Sequence, residues 1–454
     1  MTLKSIISGA VFAAAQQQKG ETEYYTWAKQ LIWLSSFLLI TTALSGCTSI
    51  SKGLMLALLE KSESPDTRKC EVLGKPFEGI EPRLAKEHGK TKILMVHGVA
   101  DHIPGYTTQF QAKLAKELGL SVRSASPKNI GLENPLFPGK RLGNLRVSRL
   151  VNPENGKEVL FYELTWSEIT REEKELLAYD TSGEYDYRRA VFNGLLKKFS
   201  NDAIADPLIY AGTSRELIQV AFAQSICWML KDDWNDLPES GRHACMALSD
   251  ANAEDLIHDD SIFISHSLGS RITLDGLQRI AGILPRQEEY LQEKHAKVKM
   301  VVPPKVIEAL RPKHITIFML SNQLPMLQLG RELPGVIGQE ADYCKPEGRY
   351  YDQRMVSKTS IIAFSDPNDL LSFGIPPGFR DKYIDSRLCP DITNISVNVA
   401  PIIEAFGVSA ARPGSAHTGY DKDDRVIALI AKGIGNPHTS ALVRQKCGYM
   451  PTIE

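Results

Sequence analysis

Five short apolar runs punctuate the chain between residues 90 and 399, and each ends in polar or turn-forming residues. They cover residues 90–98, 261–265, 314–320, 360–366 and 392–399. Runs of apolar and β-branched residues of this length are typical of strands that are buried in a sheet. Because stretches of helix length separate several of them, the pattern predicts an α/β fold with a mainly parallel central sheet flanked by helices.

The region between the first two runs has a different periodicity. Residues 107–120 carry apolar side chains at helical spacing, and residues 145–167 show two strand-like runs around the turn-forming sequence NPENG. From Glu168 to about Asp250 the pattern is helical and charged. We therefore predict an inserted helical segment at about 132–250, which would form either a lid or pocket wall, or a passive structural layer.

Composition is that of an ordinary globular protein and excludes several classes of function. The chain has 454 residues, 43% of them hydrophobic, and a formal net charge of −1. Without a sustained Lys/Arg block there is no electrostatic reason to expect nucleic acid as a partner. The seven cysteines lack the paired spacing of a zinc site, so neither a metal nor another cofactor is expected. If Cys47 is set aside, six cysteines remain, which could form up to three disulfides of undetermined pairing.

Polar residues whose side chains could take part in catalysis follow several of the predicted strands. His97 and Gly98 end the first, Ser267 follows the second, and two acids, Asp366 and Asp369, follow the fourth. His417 comes after the last strand. Because the carboxyl ends of parallel strands meet at one edge of a sheet, where ligands bind, these side chains are candidates for a common site.

The order of serine, acid and histidine, with an upstream His-Gly loop, resembles the α/β-hydrolase superfamily of lipases and esterases. The resemblance covers roughly residue 90 to the C-terminus. It departs from the family's G-x-S-x-G motif because Ser265 stands where the first glycine is usual. A sharp strand-to-helix turn requires small residues on both sides of the nucleophile, and both Ser265 and Gly269 are small. A serine-containing turn with no catalytic role remains the alternative interpretation of this pentapeptide.

The resemblance implies a role for each candidate residue. Ser267 would be the nucleophile, lifted clear of the sheet on a strained turn. The oxyanion hole would be formed by the backbone amides of Leu268, directly after the nucleophile, and of Val99, directly after the His-Gly pair. His97 and His102 would shape the loop by hydrogen bonding.

Three histidines are candidates for the base. His266 is adjacent to Ser267 in the chain, so the turn directs its side chain elsewhere. His438 follows the helix predicted at 423–434 and suits a surface position. His417 lies in the Gly/Pro/Ser-rich loop at 412–421, where the family places its base, and is the residue we favour.

The acid has two candidates. Asp366 precedes Pro367 and is also explained as a turn residue. Asp369 is followed by two leucines, as in the family, and we favour it for orienting the base and stabilising its imidazolium form.

The N-terminal region has the pattern of a targeting sequence. The apolar run at 31–43 is shorter than the ~20 residues that span a bilayer and has the length of a signal-peptide core. The LSGC sequence that ends at Cys47 resembles the lipobox of bacterial lipoproteins, which implies lipidation of Cys47. Thr48 then implies anchoring in the outer membrane of a bacterial cell envelope. A plain signal peptide or a short buried helix is the alternative, since the long stretch before Lys29 suggests an unusual leader or a misassigned start.

The predicted organisation is a signal peptide with lipobox at 1–46, a lipidated tether at 47–85 and an α/β-hydrolase domain at 86–454. The expected function is a serine esterase or lipase that cleaves apolar acyl esters through an acyl-enzyme. Lipid esters are favoured because the anchor would hold the enzyme at an acyl-rich surface. A thioesterase, acyltransferase or peptidase would use the same triad, and a non-catalytic lipoprotein scaffold is a rival from another class. Natural substrate, acyl chain length and oligomeric state stay open.

Overall fold

A computed structural model describes residues 68–450 except for 87, 123–125, 182–189, 232, 288, 290–301 and 406–407. The described residues belong to one compact unit of the chain, residues 67–454. The predicted signal peptide, its lipobox and the lipidation site Cys47 lie outside them. None of the helices in the described part is both long and apolar enough to cross a membrane.

Sixteen strands are found in the described residues, and twelve of them form the central sheet. Their bounds are β1 Cys70–Leu73, β2 Phe77–Glu78, β3 Thr91–Val96, β4 Ser121–Val122, β5 Lys128–Glu133, β6 Arg141–Val151, β7 Glu158–Thr165, β8 Arg242–His243, β9 Asp260–His266, β10 His314–Leu320, β11 Lys358–Ser365, β12 Pro390–Val397, β13 Ile403–Ala405, β14 Val408–Ala410, β15 Gly433–Ile434 and β16 Cys447–Met450.

The strand order in the central sheet is β16-β1-β12-β11-β10-β9-β3-β7-β6-β5-β8, with β4 paired to β6. Six neighbouring strands, from β12 through β11, β10, β9 and β3 to β7, run parallel. The hairpin of β6 and β7 and the pairing of β5 with β6 are antiparallel, as is the pairing of β1 with β12. The predicted α/β architecture with a mostly parallel central sheet and flanking helices is therefore confirmed.

Fifteen α-helices occur in the same part of the chain. They are α1 Glu81–Leu84, α2 Thr108–Glu117, α3 Arg171–Ala178, α4 Val191–Phe199, α5 Ala205–Ala211, α6 Arg215–Lys231, α7 Ala251–His258, α8 Leu268–Ile283, α9 Pro304–Leu310, α10 Leu324–Leu327, α11 Glu340–Cys344, α12 Phe379–Tyr383, α13 Pro413–Thr418, α14 Asp424–Lys432 and α15 Ala441–Lys446.

Helices cover both faces of the sheet, so the parallel strands are buried on both sides. Alternate residues of β3 belong to different apolar clusters, Leu94 to one and Ile93 to the other. The first cluster includes residues of α6 and α8, and the second includes residues of α2 and α14. Burial on both faces explains why β3 and β9 to β11 appear in the sequence as apolar runs. In β12, buried residues alternate with half-buried ones.

A buried ion cluster fixes helix α8 to its surroundings. Asp275 of α8 accepts hydrogen bonds from Tyr210 of α5 at 2.9 Å and from Arg331, in the segment after α10, at 2.8 Å. Arg271, one turn earlier on α8, lies 2.7 Å from the same carboxylate. Because these groups are buried with opposite charges paired, the N-terminal half of α8 is held in a defined position.

Two predicted boundaries need correction. The predicted tether at 47–85 is wrong from Cys70 onward, because β1, β2 and α1 are folded and Val72 is fully buried. The predicted insertion at 132–250 is helical mainly between Arg171 and Lys231, whereas its earlier part forms β6 and β7 of the central sheet. In both cases the pairing partners of the strands, β12 for β1 and β3 for β7, are distant in sequence.

Six cysteines form three disulfides. They join Cys70 to Cys447, Cys227 to Cys245, and Cys344 to Cys389, with sequence separations of 377, 18 and 45 residues. The first cross-links β16, an edge strand of the sheet, to its neighbour β1 and thus joins the two ends of the described chain.

We expect the double substitution Cys70→Ala/Cys447→Ala to lower the free energy of unfolding by about 2–5 kcal/mol, because this disulfide closes a very long loop. The matched variant Cys227→Ala/Cys245→Ala opens a loop of only 18 residues and should cost less. Urea unfolding of both variants under non-reducing conditions measures the difference. A loss from the long loop no larger than that from the short one would contradict the chain-entropy explanation.

Candidate active site

The candidate residues gather at the carboxyl edge of the parallel strands. Ser267 follows β9 directly, and Asp369 lies in the loop after β11. His417 lies on α13, in the segment after β12. Parallel strands bring residues that are 48 and 150 positions apart in sequence to one edge of the sheet, as the sequence pattern predicts.

Ser267 is the single residue between strand β9 and helix α8. Its backbone has φ 55° and ψ −124°, in a region that residues other than glycine rarely adopt and that costs about 1–3 kcal/mol. Its amide donates to the carbonyl of Leu320 on the adjacent strand at 2.9 Å. The turn therefore holds Ser267 in the strained conformation expected of a nucleophile at a strand-to-helix connection.

Two glycines allow this turn to pack against β3. A Cβ on Gly269 would lie 2.3 Å from the carbonyl oxygen of Val96, and one on Gly98 would lie 2.6 Å from the Cβ of Ser267. At the other flank, the side chain of Ser265 is fully buried, with its Oγ 3.4 Å from the carbonyl of Phe318. Serine thus fits where the α/β-hydrolase motif has its first glycine.

His417 and Ser267 are in hydrogen-bonding contact. The Nε2 atom of His417 lies 3.1 Å from the Oγ of Ser267, in position to accept its proton. His417 belongs to the short helix α13, so the prediction that 412–421 is a loop is wrong at this point; Pro413 starts the helix because its missing N–H needs no partner there. His266 donates from Nε2 to the carbonyl of His417 at 2.8 Å and so fixes its backbone.

Asp369 faces the other nitrogen of the same imidazole. The Nδ1 of His417 lies 3.0 Å and 3.1 Å from the two carboxylate oxygens of Asp369. Burial by itself would raise the pKa of this carboxyl, but its hydrogen bond and charge interaction with His417, together with hydrogen bonds from Ser321 and the Leu371 amide, hold the pKa below its usual value. Asp369 is therefore an anion at neutral pH.

Asp366, the other candidate acid, binds backbone amides. Its carboxylate accepts from Val399 at 2.7 Å, from Ala400 at 3.2 Å and from Asn368 at 2.8 Å. These bonds connect the end of β11 to the end of β12. Of the two acids, the structure places Asp369 at His417 and uses Asp366 to hold the neighbouring loop. His438 lies elsewhere, 3.6 Å from Glu81.

The two amides expected to form the oxyanion hole belong to Leu268, which directly follows Ser267, and to Val99, which follows Gly98. Leu268 is the first residue of α8, so its N–H has no acceptor within the helix. Gly98, which precedes Val99, packs against the Cβ of Ser267. Within the described residues neither amide donates to a protein acceptor, so both N–H groups remain available to a developing oxyanion.

His97 is a structural residue of this loop. Its Nδ1 donates to the carbonyl of Gly98 at 2.8 Å, and its Nε2 accepts from the amide of Trp166 at 3.0 Å. Its ring stacks between those of Trp166 and His102. Burial lowers the pKa of His97 well below its ordinary value, so the imidazole is neutral and acts through these two bonds.

The helical segment after β7 contacts the same loop. Asp206 of α5 is fully buried and accepts a hydrogen bond at 2.7 Å from the amide of Ala100, which has φ 73°. Lys174 of α3 lies 2.9 Å from the same carboxylate. These contacts hold the residue that follows Val99, so this segment contributes to the shape of the candidate oxyanion hole.

The structure adds one residue that the sequence patterns did not indicate. Ser321 directly follows β10, and its Oγ lies 2.6 Å from Asp369 and 3.0 Å from the Nδ1 of His417. The signal that could have found it is its position: it is the first polar residue after a predicted strand beside the strand of Ser267.

An apolar cavity of about 520 Å³ lies away from these residues, between α6, α8 and α9. On α8 it is lined by Gly276, Arg279, Ile280 and Ile283. At 1.5 Å per residue, Gly276 is about 13 Å along the helix from Ser267. No group of three or more His, Cys, Asp or Glu that could hold a metal ion is found among the described residues.

We expect the substitution His266→Gln to make the free energy of unfolding less dependent on pH. Burial, and secondarily His417, lowers the pKa of His266 to about 3, whereas the unfolded chain binds this proton near pH 6.5. The stabilisation by neutral His266 is therefore complete above about pH 6.5 and is lost as the pH falls toward 3.

Glutamine keeps an N–H donor for the carbonyl of His417, so the variant should remain folded. Between pH 6 and 4 its free energy of unfolding should change by about 1.4 kcal/mol per pH unit less than that of the wild type. Urea unfolding at several pH values tests this, with His438→Gln as the control. Equal pH slopes for His266→Gln and the wild type would contradict the expectation.

No protein-family model, curated protein or solved structure matches this chain. Support for a function therefore comes from the geometry of Ser267, His417, Asp369 and their neighbours.

Proposed function

We propose that this protein is a serine hydrolase that cleaves carboxylic esters through an acyl-enzyme intermediate. The observation that carries the proposal is a continuous chain of contacts: Ser267 Oγ lies 3.1 Å from His417 Nε2, and His417 Nδ1 lies 3.0 Å from Asp369. A nucleophile, a base and an acid that orients the base are thereby in the relation that acyl transfer requires.

Each step of ester cleavage has a residue to perform it. His417 takes the proton from Ser267 as Oγ attacks the ester carbonyl, and Asp369 stabilises the resulting imidazolium. The amides of Val99 and Leu268 would bind the oxyanion of the tetrahedral intermediate, which collapses when His417 gives its proton to the departing alcohol. Water then attacks the acyl-enzyme while His417 takes its proton; His417 returns this proton to the Oγ of Ser267 as the bond to the acyl group breaks, and the carboxylic acid leaves.

The order of the site on the sheet supports an α/β-hydrolase fold. Ser267 follows β9, Asp369 follows β11 two strands away, and His417 comes after β12. The oxyanion loop follows β3, the neighbour of β9 on the other side. This is the arrangement that the resemblance implies. The hairpin partner β6 and the strands β1 and β16 at the other end of the sheet would lie outside this arrangement.

We propose apolar acyl esters, lipids among them, as substrates. Large apolar side chains are exposed on loops at the carboxyl edge of the sheet: Ile103 after β3, Leu329 after β10 and Leu370 after β11, each more than 70% exposed. Exposed apolar side chains on loops that follow these strands would be available to contact an apolar ligand or a lipid surface. Lipid anchoring through Cys47 in the outer membrane of a bacterial cell envelope belongs to the same proposal.

We expect a fluorophosphonate probe to label the native protein and p-nitrophenyl esters to be hydrolysed. Because Ser267 carries the attacking oxygen, Ser267→Ala should abolish labelling and lower kcat by roughly 10³-fold or more. Labelled peptide mapping and ester kinetics over a series of acyl chain lengths measure both effects.

The control is Ser265→Ala, which removes a buried hydroxyl two residues away while keeping a small side chain; it should keep the label. Absence of labelling in well-folded wild type would sink the enzyme proposal in favour of a scaffold. Faster product formation with added alcohols would assign acyl transfer instead of hydrolysis, and preference for thioester or peptide bonds would assign those reactions.

Substitutions at the two acids should have different effects, one on kcat and the other on the free energy of unfolding. Asp369→Asn should lower kcat by roughly 10⁴-fold, because the imidazole of His417 then loses its anionic partner and the tautomer with its proton on Nδ1 is no longer favoured. Asp366→Asn should instead lower the free energy of unfolding by about 1–3 kcal/mol, because its oxygen atoms bind backbone amides. Parallel measurements of kcat and urea unfolding decide, and a larger kcat loss in Asp366→Asn would reverse the assignment.

A further inference from the structure

Ser321 occupies a central position in the site without being one of its three reacting groups. It is the first residue after β10, which lies between β9, the strand before Ser267, and β11, the strand before Asp369. Its side chain is completely buried. The end of β10 is thus the place on the sheet closest in strand order to both the nucleophile and the acid.

The hydroxyl of Ser321 contacts both members of the Asp369–His417 pair. It donates to Asp369 Oδ2 at 2.6 Å, and its oxygen lies 3.0 Å from His417 Nδ1. A hydroxyl has one proton and two lone pairs, so an oxygen that donates to the carboxylate can accept from the imidazole N–H. The His417 Nδ1–H thereby faces three acceptor oxygens, two from Asp369 and one from Ser321.

The residues on either side of Ser321 hold other parts of the site. The carbonyl of Leu320 accepts the amide of Ser267 at 2.9 Å. The side-chain amide of Asn322 donates to the carbonyl of Phe373 at 2.7 Å, and the amide of Phe373 donates back to Asn322 at 2.8 Å. Three consecutive residues therefore fix the nucleophile turn, the acid and the loop that carries the acid.

The backbone at Ser321 is strained. Its φ is 51°, a conformation that glycine adopts freely and that serine adopts at a cost. Glycine would relieve this strain but would remove the hydroxyl. The presence of serine in such a conformation, at a completely buried position, indicates that the hydroxyl is what the site requires.

We propose that Ser321 is a positioning residue of the triad: its hydroxyl orients the carboxylate of Asp369 and helps to hold the Nδ1 proton of His417. The inference rests on the proposed hydrolase function. When His417 accepts the Ser267 proton it becomes an imidazolium, and the carboxylate must then lie in the ring plane. Without Ser321, Asp369 Oδ2 loses its only hydroxyl donor among the described residues, and the pair is held less firmly for this step.

The test compares Ser321→Ala, Ser321→Gly and the wild type in ester hydrolysis. Loss of a hydrogen bond to a charged group predicts a fall in kcat of about 10- to 100-fold, with KM within about twofold, for both variants. Ser372→Ala is the matched control, since the buried hydroxyl of Ser372 lies in the acid loop and, among the residues that the structure describes, bonds only to the carbonyl of Asp366 and to Tyr420. The kcat of this variant should match that of the wild type. If Ser321→Ala fails to fold, Ser321→Gly still decides, because it has no strain.

A double-mutant cycle shows whether Ser321 acts through Asp369. In the Asp369→Asn background, Ser321→Ala should lower kcat by less than about threefold. The inference would be overturned if Ser321→Ala lowered kcat by the same factor in both backgrounds. It would also be overturned if both Ser321 variants, or Ser321→Gly alone, kept the kcat of the wild type. Each of these results would leave the hydrolase proposal intact. A wild type that neither hydrolyses esters nor reacts with fluorophosphonate would overturn both.

Discussion

The left-handed backbone of Ser267 is the constraint on which the rest of the site depends. A strand that passes into a helix through one residue forces that residue out of ordinary backbone conformations, and its neighbours must come close to compensate. Gly98 and Gly269 leave room for β3 to approach, and the carbonyl of Leu320 takes the free amide of Ser267. Because these contacts come from both strands beside β9, the turn can form only in the assembled sheet.

Burial and hydrogen bonds determine which side chains of the site are charged. His97 and His266 are kept neutral by burial, and each is held by bonds to backbone atoms. Asp369 keeps its charge because its carboxylate accepts hydrogen bonds from His417, from the hydroxyl of Ser321 and from the amide of Leu371. Asp369 is thus a buried anion next to the imidazole of His417, which is the electrostatic condition for stabilising an imidazolium when Ser267 loses its proton.

A strand or helix can be predicted from the sequence when its burial leaves a pattern in its own residues, and it cannot when its stability comes from distant partners. Strands β3 and β9 to β11 were predictable because burial on both faces leaves an apolar run in the local sequence. Strand β12 was predictable from its β-branched residues, which alternate with polar ones. Strand β1, with only four residues, could not be distinguished from a linker, since its stability comes from β12 and from the Cys70–Cys447 disulfide. The helix α13 escaped prediction because its sequence is rich in turn-forming residues and has no apolar periodicity.

The sequence by itself determined the α/β architecture and the clustering of Ser267, Asp369 and His417 at one edge. The apolar runs mark the buried strands, and because the carboxyl ends of parallel strands lie at the same edge of a sheet, residues that follow these strands come together there. Only the tertiary structure decided that Asp366 binds the amides of Val399 and Ala400, and that Ser321 joins the pair of Asp369 and His417. Two carboxylates three residues apart look alike in sequence, and they are distinguished only by which backbone amides and side chains the neighbouring strands bring within hydrogen-bonding distance.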